Sequence, residues 1–360
     1  MVSAVRRLVP IDLPGGPDFV EALQRTWNDG DAVLPIDPRL PRAAVRSLVD
    51  AMRPDDPVED GDALVVATSG TTGSPRGVVL THEAVRASAV ATSTRLSVDP
   101  SRDVWLACLP LAHVGGLSVV TRAIVTGTPL VAHPGFDVHA VAAAALDGAT
   151  LVSLVATALR RIDPSLFRAI VLGGAAPPAD LPANVVITYG MTETGSGIVY
   201  DGIPLDGVDV RIDPSSGEIA VRGPMLMRAY RDGVDPKDAD GWLRTGDVGS
   251  LDDGRLQVFG RLDDVIITGG ENVWPDAVEA LLLSLPSVRE VAVVGRTDDE
   301  WGQRVVAVVV PADPAAPPTL DELRTTVKEQ LGPWAAPREL LLAESLPRTA
   351  LGKIRRGALP

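Results

Sequence analysis

Short β-branched runs alternate with alanine-rich stretches through the first half of the chain, and no other feature narrows the possible folds so far. The runs are ALVVAT (63–68), DVWLACLP (103–110), PLVAHP (129–134), ATLVSLVA (149–156), AIVLGG (169–174) and NVVITYG (184–190). Their length and residue types predict strands. Between them, HEAVRASAVATSTRL (82–96) and FDVHAVAAAALD (136–147) have the composition and length of crossover helices. Strands alternating with helices predict an α/β unit around a largely parallel sheet.

The texture changes from Pro204 to Gly260, where VDVRI, EIAVRG and RLQVFG are separated by the turn signals Pro214-Ser215-Ser216-Gly217 and Asp252-Asp253-Gly254. This predicts a small antiparallel β unit. Beyond Arg261, DVIITGG (264–270), a helix from about Pro275, VREVAVVG (288–295), RVVAVVV (304–310) and a helix near 320–331 read as an α+β unit. PADPAAPP (311–318) reads as a surface loop inside it. The predicted organisation is a large N-terminal domain over 1–262, its β-rich unit at about 204–260, and a small C-terminal domain over 263–360.

Composition removes several classes of function. The 360 residues are 46% hydrophobic and 22% charged, the balance of a folded protein and not of a disordered one. A net charge of -14 with no dense Lys/Arg block disfavours nucleic acid. Cys108, the single cysteine, excludes an intrachain disulfide and a cysteine-based zinc site. Inside VWLACLPL it reads as a small buried hydrophobe, and one cysteine fits a reducing compartment. Pro10, Asp12 and Pro14 interrupt the apolar start before a signal segment forms. The stretch 138–155 contains Asp147, Gly148 and Ser153 and falls short of the roughly 20 apolar residues that span a bilayer. A cytoplasmic location without stable membrane insertion is expected.

The strongest local signal is TSGTTGSPRG (68–77), a Gly/Ser/Thr loop directly after a predicted strand. Glycines let backbone N–H groups approach phosphate oxygens and hydroxyls add donors, so the loop suits a polyphosphate. By itself such a loop is most often a flexible turn, and it has neither Walker nor dinucleotide-fold spacing.

Other motifs decide the matter. LPLAHVGGL (109–117), LGGAAPP (172–178), YGMTETGS (189–196), RTGD (244–247), GRLDDVIITGGENVWP (260–275) and LPRTALGKIRR (346–356) follow the loop in order. From Leu64 to Arg356 the chain resembles the adenylate-forming superfamily: acyl- and aryl-CoA ligases, peptide-synthetase adenylation domains and luciferases. The resemblance implies the adenylate-forming enzyme fold, a large α/β domain plus a small mobile α+β domain, and an enzyme that uses ATP, Mg²⁺ and coenzyme A.

It also implies roles for particular residues. Thr68, Ser69, Gly70, Thr71, Thr72, Gly73 and Arg76 would form the phosphate loop, with arginine where the family usually has lysine. Gly173, Gly174, Ala175, Tyr189, Gly190 and Met191 would surround adenine, with Tyr189 stacking on the ring. Thr192 would contact the α-phosphate, and Glu193 would be the magnesium-linked carboxylate, a hard oxygen ligand. Asp247 and Arg261 would hold the ribose hydroxyls.

Lys353, one of only three lysines with Lys237 and Lys328, would be the catalytic cation of adenylation. Asp263 would be the hinge, and Gly269, Gly270 and Glu271 would belong to the thioester-forming loop. His113 would lie between the acyl pocket and the thiol tunnel, or be an ordinary core histidine.

The phosphate loop begins at Thr68, so much of the family's usual N-terminal subdomain is expected to be missing or reduced. That shortening, LPLAHVGGL and TGGENVWPDAVE are similar to the short actinobacterial form of the o-succinylbenzoate–CoA ligase family of menaquinone biosynthesis. The implied reaction joins 2-succinylbenzoate, a small-molecule carboxylate, to CoA through an acyl-adenylate. Another acyl- or aryl-CoA ligase, a carrier-loading adenylation enzyme and a non-catalytic homologue stay open at this point, as does a homodimer. No residue is assigned to the ring carboxylate.

Overall fold

The computed structural model describes residues 5–68, 75–174, 177, 180–348 and 354–360. Ser69, Gly70, Thr71, Thr72, Gly73, Ala175 and Lys353 lie outside the described residues. The chain divides into two compact units, the first made of Met1–Val210, Val221–Leu243 and Asp253–Leu256, the second of Arg211–Ala220, Arg244–Asp252 and Gln257–Pro360.

The first unit has two sheets where the alternating pattern predicts one. Leu8–Ile11, Ala32–Pro35 and Asp62–Thr68 run parallel, with the helices Pro17–Asn28 and Arg42–Met52 as their connections. Arg76–Thr81 turns back antiparallel on Asp62–Thr68, and Ala229–Tyr230 adds to its other edge, giving a five-stranded mixed sheet. ALVVAT is thus a strand as expected, but it belongs to this first sheet. A connection as short as the loop before Arg76 permits only antiparallel pairing, since a parallel return needs a dozen or more residues.

The second sheet holds the parallel strands Leu130–Ala132, Trp105–Ala107, Leu151–Leu154, Ala169–Leu172 and Val185–Met191 in that spatial order. Ser196–Tyr200 and Ile203–Pro204 extend it antiparallel. The expected helices are present as His82–Arg95, capped by the Thr81 hydroxyl, and Val138–Leu146, capped by Asp137. A further helix, Val114–Thr126, occupies the stretch after LPLAH. Gly115 and Gly116 hide it from propensity, yet Gly116 is required: a Cβ there would stand 2.5 Å from the Pro110 carbonyl oxygen.

At the opposite end from the glycine motifs, Arg168 forks onto Asp103 through Nε–Oδ1 at 2.8 Å and Nη2–Oδ2 at 2.7 Å, and Thr150 Oγ1 donates to the same carboxylate at 2.8 Å. This ties together the entries of three neighbouring strands.

In the second unit, Val288–Asp298 and Gly302–Pro311 form a long hairpin. Ile266–Thr268 pairs antiparallel with Gly302–Pro311 and Glu339–Leu342 pairs parallel with it, while Glu271–Val273 extends the Ile266–Thr268 edge. Both hairpin faces are buried, which explains the unbroken apolar runs in the sequence. Val291, Val293, Val305, Ala307 and Val309 share a core with Val278 and Leu282 of helix Pro275–Leu282 and with Leu323 and Val327 of helix Leu320–Gln330. Ala292, Val294, Val306, Val308 and Val310 are covered instead by Leu346 and Leu359. The β-rich stretch carries Asp209–Ile212, Glu218–Arg222, Leu243–Asp252 and Arg255–Arg261.

Candidate active site

In the first unit the motif residues collect at the carboxyl ends of adjacent strands, where open α/β sheets bind their ligands. Ala169–Leu172 and Val185–Met191 are parallel neighbours with Leu172 opposite Ile187, so Gly173-Gly174 emerges beside Thr188-Tyr189-Gly190. The approach is close. A Cβ at Gly173 would stand 2.8 Å from Thr188 Oγ1, and one at Gly190 would stand 2.2 Å from the Ser196 carbonyl oxygen.

Met191 leads into the short helix Thr192–Thr194, where the Met191 N–H donates to Thr194 Oγ1 at 2.9 Å and that hydroxyl donates to the Ser196 carbonyl at 2.7 Å. Glu193 therefore stands on a tightly bonded turn.

Thr68 and Arg76 are opposed in register and bracket the Gly/Ser/Thr loop, and Thr68 Oγ1 donates to the Arg76 carbonyl at 3.3 Å. The Arg76 guanidinium lies 3.6 Å from the Tyr230 ring centroid and donates to Asp232 Oδ2 at 3.0 Å. Tyr230 Oη donates to Glu193 Oε1 at 3.0 Å. Arg76 and Glu193, separate sequence candidates, thus meet through Tyr230, while Asp232 pairs with Arg76; sequence reasoning missed both Tyr230 and Asp232. With Arg76 and Asp232 156 positions apart, no local pattern could have flagged the contact.

His113 sits immediately before helix Val114–Thr126, its carbonyl accepting from the Leu117 N–H at 2.8 Å. More than two turns further along that helix lies a third missed residue. Arg122 is only 1% exposed, and its Nη2 reaches Ser196 Oγ at 3.4 Å. Its guanidinium lies 4.8 Å from the Trp105 ring centroid. Nε and Nη1 have no protein partner among the described residues. Burial pushes its pKa below the ordinary guanidinium value, with the nearby Tyr200 acting weakly the other way. A signal was present: Arg122 is the lone charge in the helix VGGLSVVTRAIVT.

The second unit assembles its own motif residues. Arg261 Nη1 donates to Asp247 Oδ1 at 3.0 Å and to the Thr245 carbonyl at 3.2 Å. Gly246 has φ +71°, and a Cβ there would stand 2.9 Å from Arg261 Nη2, so glycine is needed between the two. Glu218 anchors the turn, accepting from Arg244 Nε at 2.7 Å and the Gly246 N–H at 3.0 Å.

Asp263 is exposed within the short helix Leu262–Asp264. Gly269 and Gly270, with φ +59° and +86°, make the two-residue turn joining Ile266–Thr268 to Glu271–Val273. Both glycines and Glu271 are exposed. Trp301 backs the turn, its carbonyl accepting from the Gly269 N–H at 2.9 Å.

A magnesium ion is chemically compatible with Glu193, a hard carboxylate ligand held on a bonded turn with its Oε1 accepting from Tyr230. No group of three or more His, Cys, Asp or Glu side chains that could hold a metal occurs among the described residues. A cation on Glu193 would therefore take its other ligands from phosphate and water, the habit of Mg²⁺. Among the described residues no helix is long and apolar enough to cross a membrane.

Comparison with known proteins agrees with this geometry. The AMP-binding enzyme family matches residues 50–231 and the AMP-binding enzyme C-terminal domain matches 277–353. The chain belongs to the AMP-binding enzyme family. It is 42% identical to a probable 2-succinylbenzoate–CoA ligase of Mycobacterium tuberculosis, over 95% of this chain and 94% of that one. It is 37% identical to the 2-succinylbenzoate–CoA ligase of Bacillus anthracis, over 82% of this chain and 69% of that one. Among solved structures, o-succinylbenzoate coenzyme A synthetase of Bacillus subtilis in complex with ATP and magnesium ion superposes with a TM-score of 0.88 at 29% identity, covering 99% of this chain and 90% of that one. The same enzyme with the acyl-adenylate intermediate OSB-AMP gives a TM-score of 0.87 at 29% identity, covering 99% and 88%.

Proposed function

We propose that this chain is an AMP-forming acid–CoA ligase that converts 2-succinylbenzoate, ATP and CoA to 2-succinylbenzoyl-CoA, AMP and diphosphate, a step of menaquinone biosynthesis. The likeness to the mycobacterial relative over nearly the full length of both chains supports the reaction class. One structural observation carries the acid: the buried Arg122 guanidinium with two nitrogens free of protein partners among the described residues. A buried charge of that kind calls for an anion. A substrate with a second carboxylate supplies one, and Arg122 reads the ring carboxylate while the succinyl carboxylate reacts.

In the first half-reaction a succinyl carboxylate oxygen attacks the α-phosphorus and diphosphate leaves. The residues around it hold two anions together and stabilise the charge that develops. Thr68, the loop after it and Arg76 bind phosphate. Gly173, Gly174, Tyr189, Gly190 and Met191 hold adenine, Asp247 and Arg261 the ribose, and Thr192 the α-phosphate. Lys353 draws carboxylate and phosphate together. Bound through Glu193, Mg²⁺ supplies positive charge to the phosphates.

In the second half-reaction the CoA thiol displaces AMP from the acyl carbon. Rotation of the C-terminal domain about Asp263 brings Gly269, Gly270 and Glu271 to the pantetheine arm, with His113 between acyl group and thiol. The test is mass-spectrometric detection of CoA thioesters from ATP, CoA, Mg²⁺ and a panel of carboxylates. The 2-succinylbenzoyl thioester should form with the highest kcat/KM, and a clearly better fatty or simple aryl acid would overturn the assignment.

A further inference from the structure

Tyr230 touches both charged side chains of the phosphate end of the site, and it does so from a segment clamped by other groups. It is the second residue of strand Ala229–Tyr230, opposite Val78. Next to it, Arg231 donates to four backbone carbonyls: Nε to Met52 at 3.0 Å, Nη1 to Pro57 at 3.0 Å, and Nη2 to Arg53 at 2.9 Å and Asp56 at 2.6 Å. Arg228 forks onto Asp62 with Nε–Oδ1 at 2.9 Å and Nη2–Oδ2 at 3.0 Å. Lys237 Nζ closes the far side, donating to the Met227 and Arg228 carbonyls at 2.7 and 2.8 Å. The Met227 N–H also donates to the Glu193 carbonyl at 2.8 Å, so the phenol and the turn that carries Glu193 are fixed to one another.

Its two ends do different things. The hydroxyl occupies Glu193 Oε1 and leaves Oε2, while the ring face carries the flat Arg76 guanidinium. Stacking of this kind suits arginine better than the compact, strongly hydrated ammonium of lysine.

We propose that Tyr230 is a positioning residue for adenylation: its hydroxyl fixes the Glu193 carboxylate for a nucleotide-bound divalent cation, and its ring seats Arg76 beside the phosphate loop. The proposal rests on the reading of Glu193 as the cation's carboxylate. An unanchored glutamate must be ordered by the metal itself, so loss of the hydroxyl weakens metal-nucleotide binding, whereas metal-free nucleotide does not sense it.

The experiment is calorimetric titration of the full chain with Mn²⁺·ATP and, in EDTA, with ATP alone, for wild type, Tyr230→Phe and Glu193→Gln. Tyr230→Phe retains the ring under Arg76 and should bind Mn²⁺·ATP about three- to tenfold more weakly, the worth of one hydrogen bond. Its affinity for metal-free ATP should stay within about twofold. Unchanged Mn²⁺·ATP affinity in Tyr230→Phe beside a weakened Glu193→Gln would overturn the role of Tyr230. Equal loss with and without metal would assign Tyr230 a merely structural part and also overturn it. If Glu193→Gln itself binds Mn²⁺·ATP as wild type does, the reading of Glu193 fails and the inference fails with it.

Discussion

Replacing Arg122 by methionine separates substrate reading from stability, because the two respond in opposite directions. The guanidinium is 1% exposed, bonds only Ser196 Oγ at 3.4 Å, and leaves Nε and Nη1 without protein partners among the described residues. Without substrate it is a buried charge that the protein does not neutralise, and an apolar side chain of similar volume is neutral or stabilising at such a site. Methionine also retains contact with the Trp105 ring. The melting temperature of Arg122→Met should therefore stay level or rise.

With substrate bound the balance reverses. Nε and Nη1, without partners among the described residues, can each donate to an anion, and removing one partner of a buried charged pair costs about 3–5 kcal/mol. At 1.4 kcal/mol per decade, kcat/KM for 2-succinylbenzoate should fall by roughly 10²-fold to several thousandfold. The assay compares 2-succinylbenzoate with 4-oxo-4-phenylbutanoate, the same acid without its ring carboxylate. Wild type should strongly prefer the dicarboxylate and the variant should lose most of that preference. An equal fall for both acids, or a change below about fivefold for 2-succinylbenzoate, would refute the assignment of Arg122.

Three further outcomes are expected. Lys353→Ala should slow adenylation by about 10²- to 10³-fold, as loss of a transition-state charge does, yet turn supplied acyl-adenylate and CoA into thioester at nearly the wild-type rate; each half-reaction is measured separately. Cys108 is 1% exposed, and burial pushes its thiol up to about 12, so native protein at pH 8 should resist iodoacetamide and label only after denaturation. The Asp37 carboxyl is held below its usual range, first by the Arg39 side chain, against the opposing effect of burial, with the Arg39 N–H adding to it. A depressed carboxyl stabilises the fold above its unfolded pKa of about 3.9, and that contribution is lost as pH falls through the folded value. The melting-temperature deficit of Asp37→Asn, followed by scanning calorimetry, should accordingly be full at pH 6 and shrink toward pH 3.

The elements were legible where local pattern and tertiary role coincide. VREVAVVG and RVVAVVV appear as Val288–Asp298 and Gly302–Pro311, and HEAVRASAVATSTRL as His82–Arg95, because burial and capping reinforce the local preference. Sheet membership was less legible. ALVVAT and AIVLGG are similar as text, yet one pairs antiparallel with Arg76–Thr81 and the other parallel with Leu151–Leu154. Strand composition does not encode a partner; the length of the connection does. Helix Val114–Thr126 was hidden for a different reason, since Gly116 meets a steric demand of the Leu109 and Pro110 carbonyls at the expense of helix propensity.

The candidate site divides along the same line. Groups proposed for phosphate, ribose and thiol lie in contiguous motifs, because loops with adjacent N–H groups, hydroxyls and glycines do that chemistry, and adjacency is what a sequence displays. Tyr230, Asp232 and Arg122 have no such neighbours of like function. Tyr230 reaches Glu193 through an edge strand paired opposite Val78, and Arg122 meets Ser196 where a helix packs against a strand. The nucleotide half of the reaction is the part shared across a superfamily, so its residues can be fixed by local motifs. The acid differs from enzyme to enzyme, and the economical place to vary it is a single side chain on a helix whose backbone need not change. In this chain the position we propose is Arg122, a buried cation whose Nε and Nη1 have no partner among the described residues, so the feature proposed to distinguish the acid is also the one that most violates the rules of a stable core.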